Sequence, residues 1–225
     1  WALALALQAG RARWDDDRDA AVPLVVNPLT PVRVMWEVPG LRWLALAGAT
    51  LGTGQAIIHS YTVVMFYEQL SMPLVQAGLM LTVAQVGGVL GRPFWGWLAD
   101  RSGDCLGVLI ALSGFIGVIS LAVATLGSGW TLGWIYALFF VFGATASGWH
   151  GAFLAEVAKL APVDNVSAAT GGALVFNLVS AILTPVVFAG VFIAIQSYSL
   201  SFGMLAVPAI ASIFLLRAAR SLSAP

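Results

Sequence analysis

The sequence predicts an all-α integral membrane protein, a bundle of six transmembrane helices. Of its 225 residues, 60% are hydrophobic and the mean hydropathy is +0.94. Only 9% are charged, against roughly 25% in an ordinary soluble domain, so a soluble fold of this size could not cover its surface. Ten basic residues balance ten acidic ones, which argues against a nucleic-acid-binding protein. The lone Cys105 excludes a disulfide scaffold and a cysteine-based zinc site.

Charge-free apolar runs define the spans, because a bilayer core of ~30 Å needs about 20 helical residues. The runs at 43–67 and 69–91 each fit one helix, whereas those at 105–155 and 165–216 are long enough for two. Turn-forming residues at 127–130 and 196–199 divide the long runs. The predicted spans are 43–67, 74–99, 105–126, 131–156, 167–193 and 198–217. Continuous runs rich in Ala, Leu, Gly and Val favour helices over the alternating strands of an outer-membrane barrel.

The ends of the chain are predicted to lie outside this bundle. Residues 1–8 are apolar but too short to cross a membrane, and no basic leader marks them as a signal peptide. We expect them to be the end of a preceding transmembrane helix, so that the chain is part of a longer protein. Residues 9–40 contain a charge run at 15–19 and four prolines, which predict a linker with a solvated surface rather than a cation site. Residues 41–220 form the predicted bundle and 221–225 a tail.

The basic residues predict the orientation of the bundle. With six spans, every Lys and Arg falls on one side of the membrane, and the opposite turns carry only Glu68. Because cytoplasmic loops carry the excess of basic residues, the linker and the C-terminus are predicted to be cytoplasmic. The expected location is the bacterial inner (plasma) membrane.

The connection between the second and third spans carries a motif, Gly96-Trp97-Leu98-Ala99-Asp100-Arg101-Ser102-Gly103. Its Gly-x-Leu-Ala-Asp-Arg-x-Gly core resembles the signature loop of the major facilitator superfamily, and the layout of spans over about 41–220 is similar as well. The resemblance implies that the chain is half of a twelve-helix fold, helices seven to twelve, with 9–40 as the cytoplasmic linker between halves. It also implies a partner, an amino-terminal half of six helices.

The resemblance implies a gating role for Gly96, Asp100, Arg101 and Gly103. Such loop contacts hold two rigid halves in one state and break in the other. We expect Gly96 to permit close helix approach, Gly103 to adopt positive φ, and Asp100 to meet a facing helix N-terminus or a cation. The alternative is a charged turn that fixes topology alone. In one departure, Asp104 and Cys105 stand where family members often carry basic residues.

Arg92 is the first candidate for a functional residue inside the membrane, where ionisable side chains are costly. Its forked, always charged guanidinium suits a carboxylate or phosphate in a central cavity. Alternatively, it extends to the cytoplasmic headgroups and binds nothing. Arg92-Pro93 also resembles an Arg-Pro pair of monocarboxylate transporters, a branch of the same superfamily. There an aspartate lies one turn earlier; here Gly88 stands in its place, so proton coupling through such a pair does not carry over.

Two histidines and several neutral side chains complete the candidate set. His59 and His150 are candidates for binding substrate or relaying a proton, with hydrogen-bonded packing, or for His150 a part in the cytoplasmic gate, as the alternative. A polar stripe in the fifth span either lines a cavity or joins helices by hydrogen bonds. Glycines such as Gly114 and Gly172 are expected to allow close helix contact. The neutral candidates for the cavity are Gln55, Gln85, Tyr136 and Asn177.

Together these features predict secondary active transport of a small solute by alternating access, a mechanism implied by the resemblance. Arg92 makes an organic anion the candidate substrate, and a proton is the expected coupling ion. We expect no cofactor, no metal and no nucleic-acid partner. The sequence lacks the motifs of hydrolases and nucleotide-binding enzymes, so an enzyme is not expected. The alternatives are a solute sensor that transports nothing and a membrane scaffold subunit.

Overall fold

A computed structural model describes residues 29–127 and 129–223. The predictions made for residues 1–8, for the charge run at 15–19 and for the last two residues of the tail lie outside these ranges. The chain divides into two compact units, Trp1–Thr30 and Pro31–Pro225. The second unit contains all the helices discussed below, apart from the first residue of α1.

Helices make up nearly all of the described residues, and no strand occurs among them. We number the helices in chain order; the first, second, third and fifth spans are α2, α3, α4 and α7. The fourth span consists of α5 and α6, and the sixth of α8 and α9. Their bounds are α1 Thr30–Glu37, α2 Pro39–Val64, α3 Leu74–Ser102, α4 Cys105–Ala124, α5 Leu132–Ala146, α6 His150–Leu160, α7 Val166–Ile195, α8 Tyr198–Gly203 and α9 Ala206–Ser223.

The predicted all-α membrane bundle is confirmed. Within the described ranges, five segments are both long and apolar enough to cross a membrane, and they coincide with the second to sixth predicted spans. The first predicted span is α2, whose 26 residues extend about 39 Å. This helix falls short in apolarity rather than length, because it carries Gln55, His59 and several hydroxyl side chains.

Several boundaries differ from the predicted ones. Residues 30–37, assigned to the linker, form α1, and α9 continues through the predicted tail to Ser223. Helix α2 starts at Pro39, because proline is well suited to the first turn of a helix. The fourth span is interrupted between α5 and α6, and the sixth between α8 and α9. Hydropathy cannot reveal such interruptions, since the residues that form them are as apolar as the helices around them.

Helix α1 packs against the N-terminal part of α7. Its Met35 is fully buried, and the ring of Trp36 stacks on that of Phe176 at 6.4 Å between centroids. A methyl group added at Gly172 would overlap the backbone carbonyl of Pro31. The expected close contact at Gly172 is therefore present, and it fixes the end of the predicted linker to the fifth span.

The closest helix contact joins α3 and α5, the second and fourth spans. A methyl group at Gly87 would overlap the carbonyl of Phe140, and one at Gly143 would overlap the carbonyl of Ala84. Gly91 touches the backbone of the fourth span in the same way. Glycines on both helices thus let the two backbones meet, and this contact positions the site described next.

Candidate functional site

The fourth span, Leu132–Leu160, is interrupted near its middle, at 147–149. In an unbroken helix the Gly148 N–H would donate to the Ala144 carbonyl, but it donates to Thr145 at 3.4 Å. The Ala144 carbonyl instead accepts a hydrogen bond from Nε1 of Trp95 on α3, at 3.1 Å. Non-helical backbone at this depth is tolerated where protein groups satisfy it or where it lines a cavity.

Arg92 reaches from α3 to the carbonyl at this interruption. Its Nε donates to the Ser147 carbonyl at 3.3 Å, while the residue as a whole is exposed. Nδ1 of His150 lies 3.4 Å from the same oxygen. Two predicted site residues from different spans therefore meet at one carbonyl.

His150 and His59 both lie within electrostatic reach of Arg92. The bond to Ser147 requires a hydrogen on His150 Nδ1, because a carbonyl only accepts, and this leaves Nε2 free as an acceptor. The imidazole stacks on Trp149 at 4.1 Å between ring centroids. His59 is exposed on α2, and the charge of Arg92 acts on both imidazoles. Within the described ranges, no hydrogen bond joins His59 to Arg92 or His150.

Helix α6 begins at His150, beside Arg92. The first backbone N–H groups of a helix have no partner within it, and they form the positive end of its dipole. The N-cap residue Trp149 supplies no side-chain cap. The Arg92 guanidinium is thus a permanent positive charge at the interruption, where the positive end of α6 meets the negative end of α5.

Asn177 lies elsewhere, where α7 crosses α2. Its Nδ2 is buried and has no hydrogen-bond partner among the described residues, and a Cβ at Gly52 would lie 3.2 Å from it. The hydroxyl of the neighbouring Ser180 donates to the Ala49 carbonyl at 2.6 Å. This part of the polar stripe thus joins two helices, which is one of its two predicted roles.

Three further candidates make no side-chain hydrogen bond within the described ranges: Gln55 and Tyr136 are half-buried and Gln85 is exposed. A cavity of about 460 Å³ between the first, fifth and sixth spans has none of the predicted site residues in its lining. Its Ser180 and Thr50 hydroxyls bond to backbone carbonyls, so the cavity presents apolar walls.

The sequence model of the Major Facilitator Superfamily matches residues 2–185 and 44–225, which together cover nearly the whole chain. The chain belongs to the Major Facilitator Superfamily. It is therefore an integral membrane transport protein, from a family whose members carry small-molecule substrates. No individual curated protein matches the chain.

The signature motif of the superfamily forms the last two turns of α3 and the residue after it, and part of its expected geometry is present. Gly103 ends the helix with φ = 66°, the positive φ that was predicted. Its N–H donates to the Ala99 carbonyl at 3.0 Å. Asp100 and Arg101 are exposed, and the Arg101 guanidinium lies 5.8 Å from the centre of a Trp97 ring. No described atom lies within 4 Å of a Cβ built at Gly96. The close contact expected there is therefore not made within the described part of the chain.

Asp104, where superfamily members often carry a basic residue, has two partners. Its Oδ1 accepts from the Gly107 N–H at 2.8 Å and thereby caps α4, and its Oδ2 binds Arg220 Nη2 at 2.9 Å. Nearby, Lys159 Nζ lies 3.9 Å from Glu156 Oε2. These four charged residues line one cavity of about 310 Å³ near the start of α4 and the end of α6. The departure from the family pattern thus joins the third span to the sixth.

Sequence reasoning missed Trp95 and the glycines at the contact between the second and fourth spans. The signal was present: Gly87, Gly88 and Gly91 are spaced to share one face of a helix. Their counterparts on the fourth span, Gly143 and Gly148, are five residues apart, against four for Gly87 and Gly91. The pairing of the helices decides which glycines meet. The spacing of glycines along the sequence therefore could not predict this contact.

Proposed function

We propose that this chain is the carboxy-terminal half of a secondary transporter that moves a small organic anion by alternating access. Arg92 binds the carboxylate or phosphate of the substrate at the interruption of the fourth span. The observation that carries this proposal is the meeting of Arg92 and His150 at the Ser147 carbonyl. Only Nε of Arg92 is engaged there, so its terminal nitrogens remain to form the paired hydrogen bonds that arginine makes with carboxylates and phosphates.

The surroundings of Arg92 favour an anion over a neutral solute. A negative charge there gains from the guanidinium, from the start of α6 and from any proton on His59 or His150. No carboxylate is paired with Arg92 among the residues that the structure describes. An unpaired arginine at this depth is costly, which supports a role for it in binding.

His150 is the proposed site of proton coupling. Its Nε2 is an acceptor in the neutral ring, whereas Nδ1 is held by Ser147. Protonation would add a positive charge beside Arg92 and strengthen anion binding, so proton and anion would move together. His59 is the second candidate for this role because it shares the field of Arg92.

The partner in this mechanism is an amino-terminal half of six helices. In the most apolar stretch of the fifth span only 6% of the residues are buried, against 56% in α4. This exposure of α7 supports the existence of a second half. Large apolar side chains such as Leu178 and Ile182 remain exposed along α7. In the proposed assembly the second half covers part of this surface, lipid covers the rest, and the remaining predicted cavity residues face the centre.

Uptake by the full-length protein in proteoliposomes tests this proposal. We expect accumulation of radiolabelled benzoate, lactate or glycerol phosphate from a small panel, driven by an inward proton gradient. Benzamide, the neutral counterpart of benzoate, crosses bilayers unaided, so we expect its uptake to equal that of protein-free liposomes. Binding of a panel anion without flux would support the solute sensor instead, and neither binding nor flux would support the scaffold subunit. Equal uptake of benzamide and benzoate above that of protein-free liposomes would exclude the anion site.

We propose that the signature loop takes part in gating, because Asp100 and Arg101 are exposed. Their charges can therefore contact the other half. Asp100→Asn is expected to lower uptake at least about tenfold while leaving substrate binding unchanged, because the substitution removes a contact between halves. Asp104→Asn is the matched control. It removes a charge from the same loop, but that charge pairs with Arg220 inside this half, so uptake should stay near wild type. Equal uptake by both variants would limit the loop to fixing topology.

A further inference from the structure

We infer that Trp95 is a positioning residue for the anion site: its indole keeps the fourth span interrupted and thereby orients Arg92. The inference rests on the proposed function as far as the anion is concerned. The claim that Trp95 keeps the fourth span interrupted depends only on contacts between α3 and the fourth span.

The first step is the hydrogen bond that Trp95 makes. Nε1 donates to the Ala144 carbonyl at 3.1 Å, the oxygen that an unbroken helix would offer to the Gly148 N–H. Because that position is taken, Gly148 donates to Thr145 in a tighter turn. The indole thus replaces one bond of the helix ladder by a bond to another span.

The second step is steric, and it depends on Gly148. A methyl group at this position would overlap both the Ala144 carbonyl and Cδ1 of Trp95. Only glycine therefore leaves room for the indole to enter the helix. A tryptophan on one span and a glycine on the other are matched in shape, which indicates that the interruption is built into the helix contact.

The third step leads to Arg92. In an unbroken helix the Ser147 carbonyl would accept from the Gly151 N–H; here it accepts from Nε of Arg92, with His150 Nδ1 beside it. This bond holds the guanidinium by one edge and leaves the two terminal nitrogens available. Without Trp95 the backbone hydrogen bonds of the helix can reform. The Ser147 carbonyl then accepts from the Gly151 N–H, and Arg92 loses the acceptor that orients it.

Trp95→Phe tests the inference because it keeps a ring but removes the indole N–H. Hydrogen exchange of the segment 147–152, followed by mass spectrometry, needs no ligand. We expect exchange in this segment to slow by about tenfold or more as the Gly151 N–H gains a partner. Trp130→Phe is the matched control, since Trp130 Nε1 also donates to a backbone carbonyl, that of Thr125 at 3.0 Å, but in the turn between the third and fourth spans. Unchanged exchange at 147–152 in Trp95→Phe would overturn the inference.

Transport separates positioning of Arg92 from a general structural role. For the panel anions, Trp95→Phe should raise KM about tenfold, with the maximal rate within about twofold of wild type, as expected for a weakened charged hydrogen bond. In an Arg92→Lys background the same substitution should add almost nothing, because lysine lacks the Nε that Ser147 holds. Equal effects of Trp95→Phe in both backgrounds would leave Trp95 a packing residue.

The two proposals fail in distinguishable ways. If no panel anion is transported but exchange still slows in Trp95→Phe, the anion site is wrong and the control of the interruption by Trp95 stands. If Arg92 proves essential for uptake but KM is unchanged in Trp95→Phe, the positioning role is wrong and the anion site stands.

Discussion

Arg92→Gln is expected to abolish anion uptake, lowering it at least about a hundredfold, since paired hydrogen bonds to a charged group contribute roughly 1.5–3 kcal/mol each. Glutamine keeps a polar N–H donor for the Ser147 carbonyl but loses the charge and the fork. Arg92→Lys restores the charge without the fork, so we expect uptake between those of the glutamine variant and the wild type. The measurement is initial uptake of the panel anions by the full-length protein in proteoliposomes.

Arg217→Gln serves as the control for this prediction. Arg217 is exposed near the cytoplasmic end of α9, and its loss removes the same charge far along the chain from the interruption. Uptake should stay near wild type in this variant, with both proteins present at equal amounts in the vesicles. Wild-type uptake by Arg92→Gln would mean that Arg92 only extends toward the headgroups, the alternative that the sequence left open.

Gly143→Ala is expected to give the largest loss of stability, about 3 kcal/mol or more, because overpacking against backbone that cannot move aside is costly. The added methyl group would overlap the Ala84 carbonyl on α3, so the second and fourth spans must separate. Separation would also pull Arg92 and Trp95 away from the carbonyls that they hold. Thermal unfolding of the purified protein in detergent measures the effect, and binding of a panel anion should weaken in parallel.

Gly114→Ala provides the same chemical change in the interior of α4. Outside its own helix, no atom of the described residues lies within 4 Å of a Cβ built there, so the substitution should be neutral or slightly stabilising, since alanine favours helices over glycine by roughly 1 kcal/mol. Similar melting temperatures for the Gly143 and Gly114 variants would show that the tight contact between the second and fourth spans does not govern stability.

The number and order of the spans could be predicted because charge is so costly in a bilayer that it divides the chain by itself. The same argument failed for local detail. Glycine-rich close packing was expected at Gly114, where nothing is near, and was not recognised at Gly143. The difference between them is which helix lies opposite, and composition within one helix carries no information about its neighbour.

For the site, the sequence proposed residues but not their arrangement. Arg92, His59 and His150 were chosen because ionisable groups are rare in membranes, and that criterion needs no structure. The meeting of Arg92 and His150 at the Ser147 carbonyl depends on an interruption of the fourth span. That interruption is produced by Trp95, an apolar residue from another helix, and so no periodicity within the fourth span could have revealed it.

The packing of α1 against Gly172 has a practical consequence for dividing the protein into separately expressed pieces. A cut placed between α1 and α2, at the obvious end of the linker, would remove Pro31, Met35 and Trp36 and uncover the surface of α7 that they protect. A cut before residue 29 keeps that surface covered. Complementation of two half-length polypeptides should therefore succeed with the earlier cut and fail with the later one.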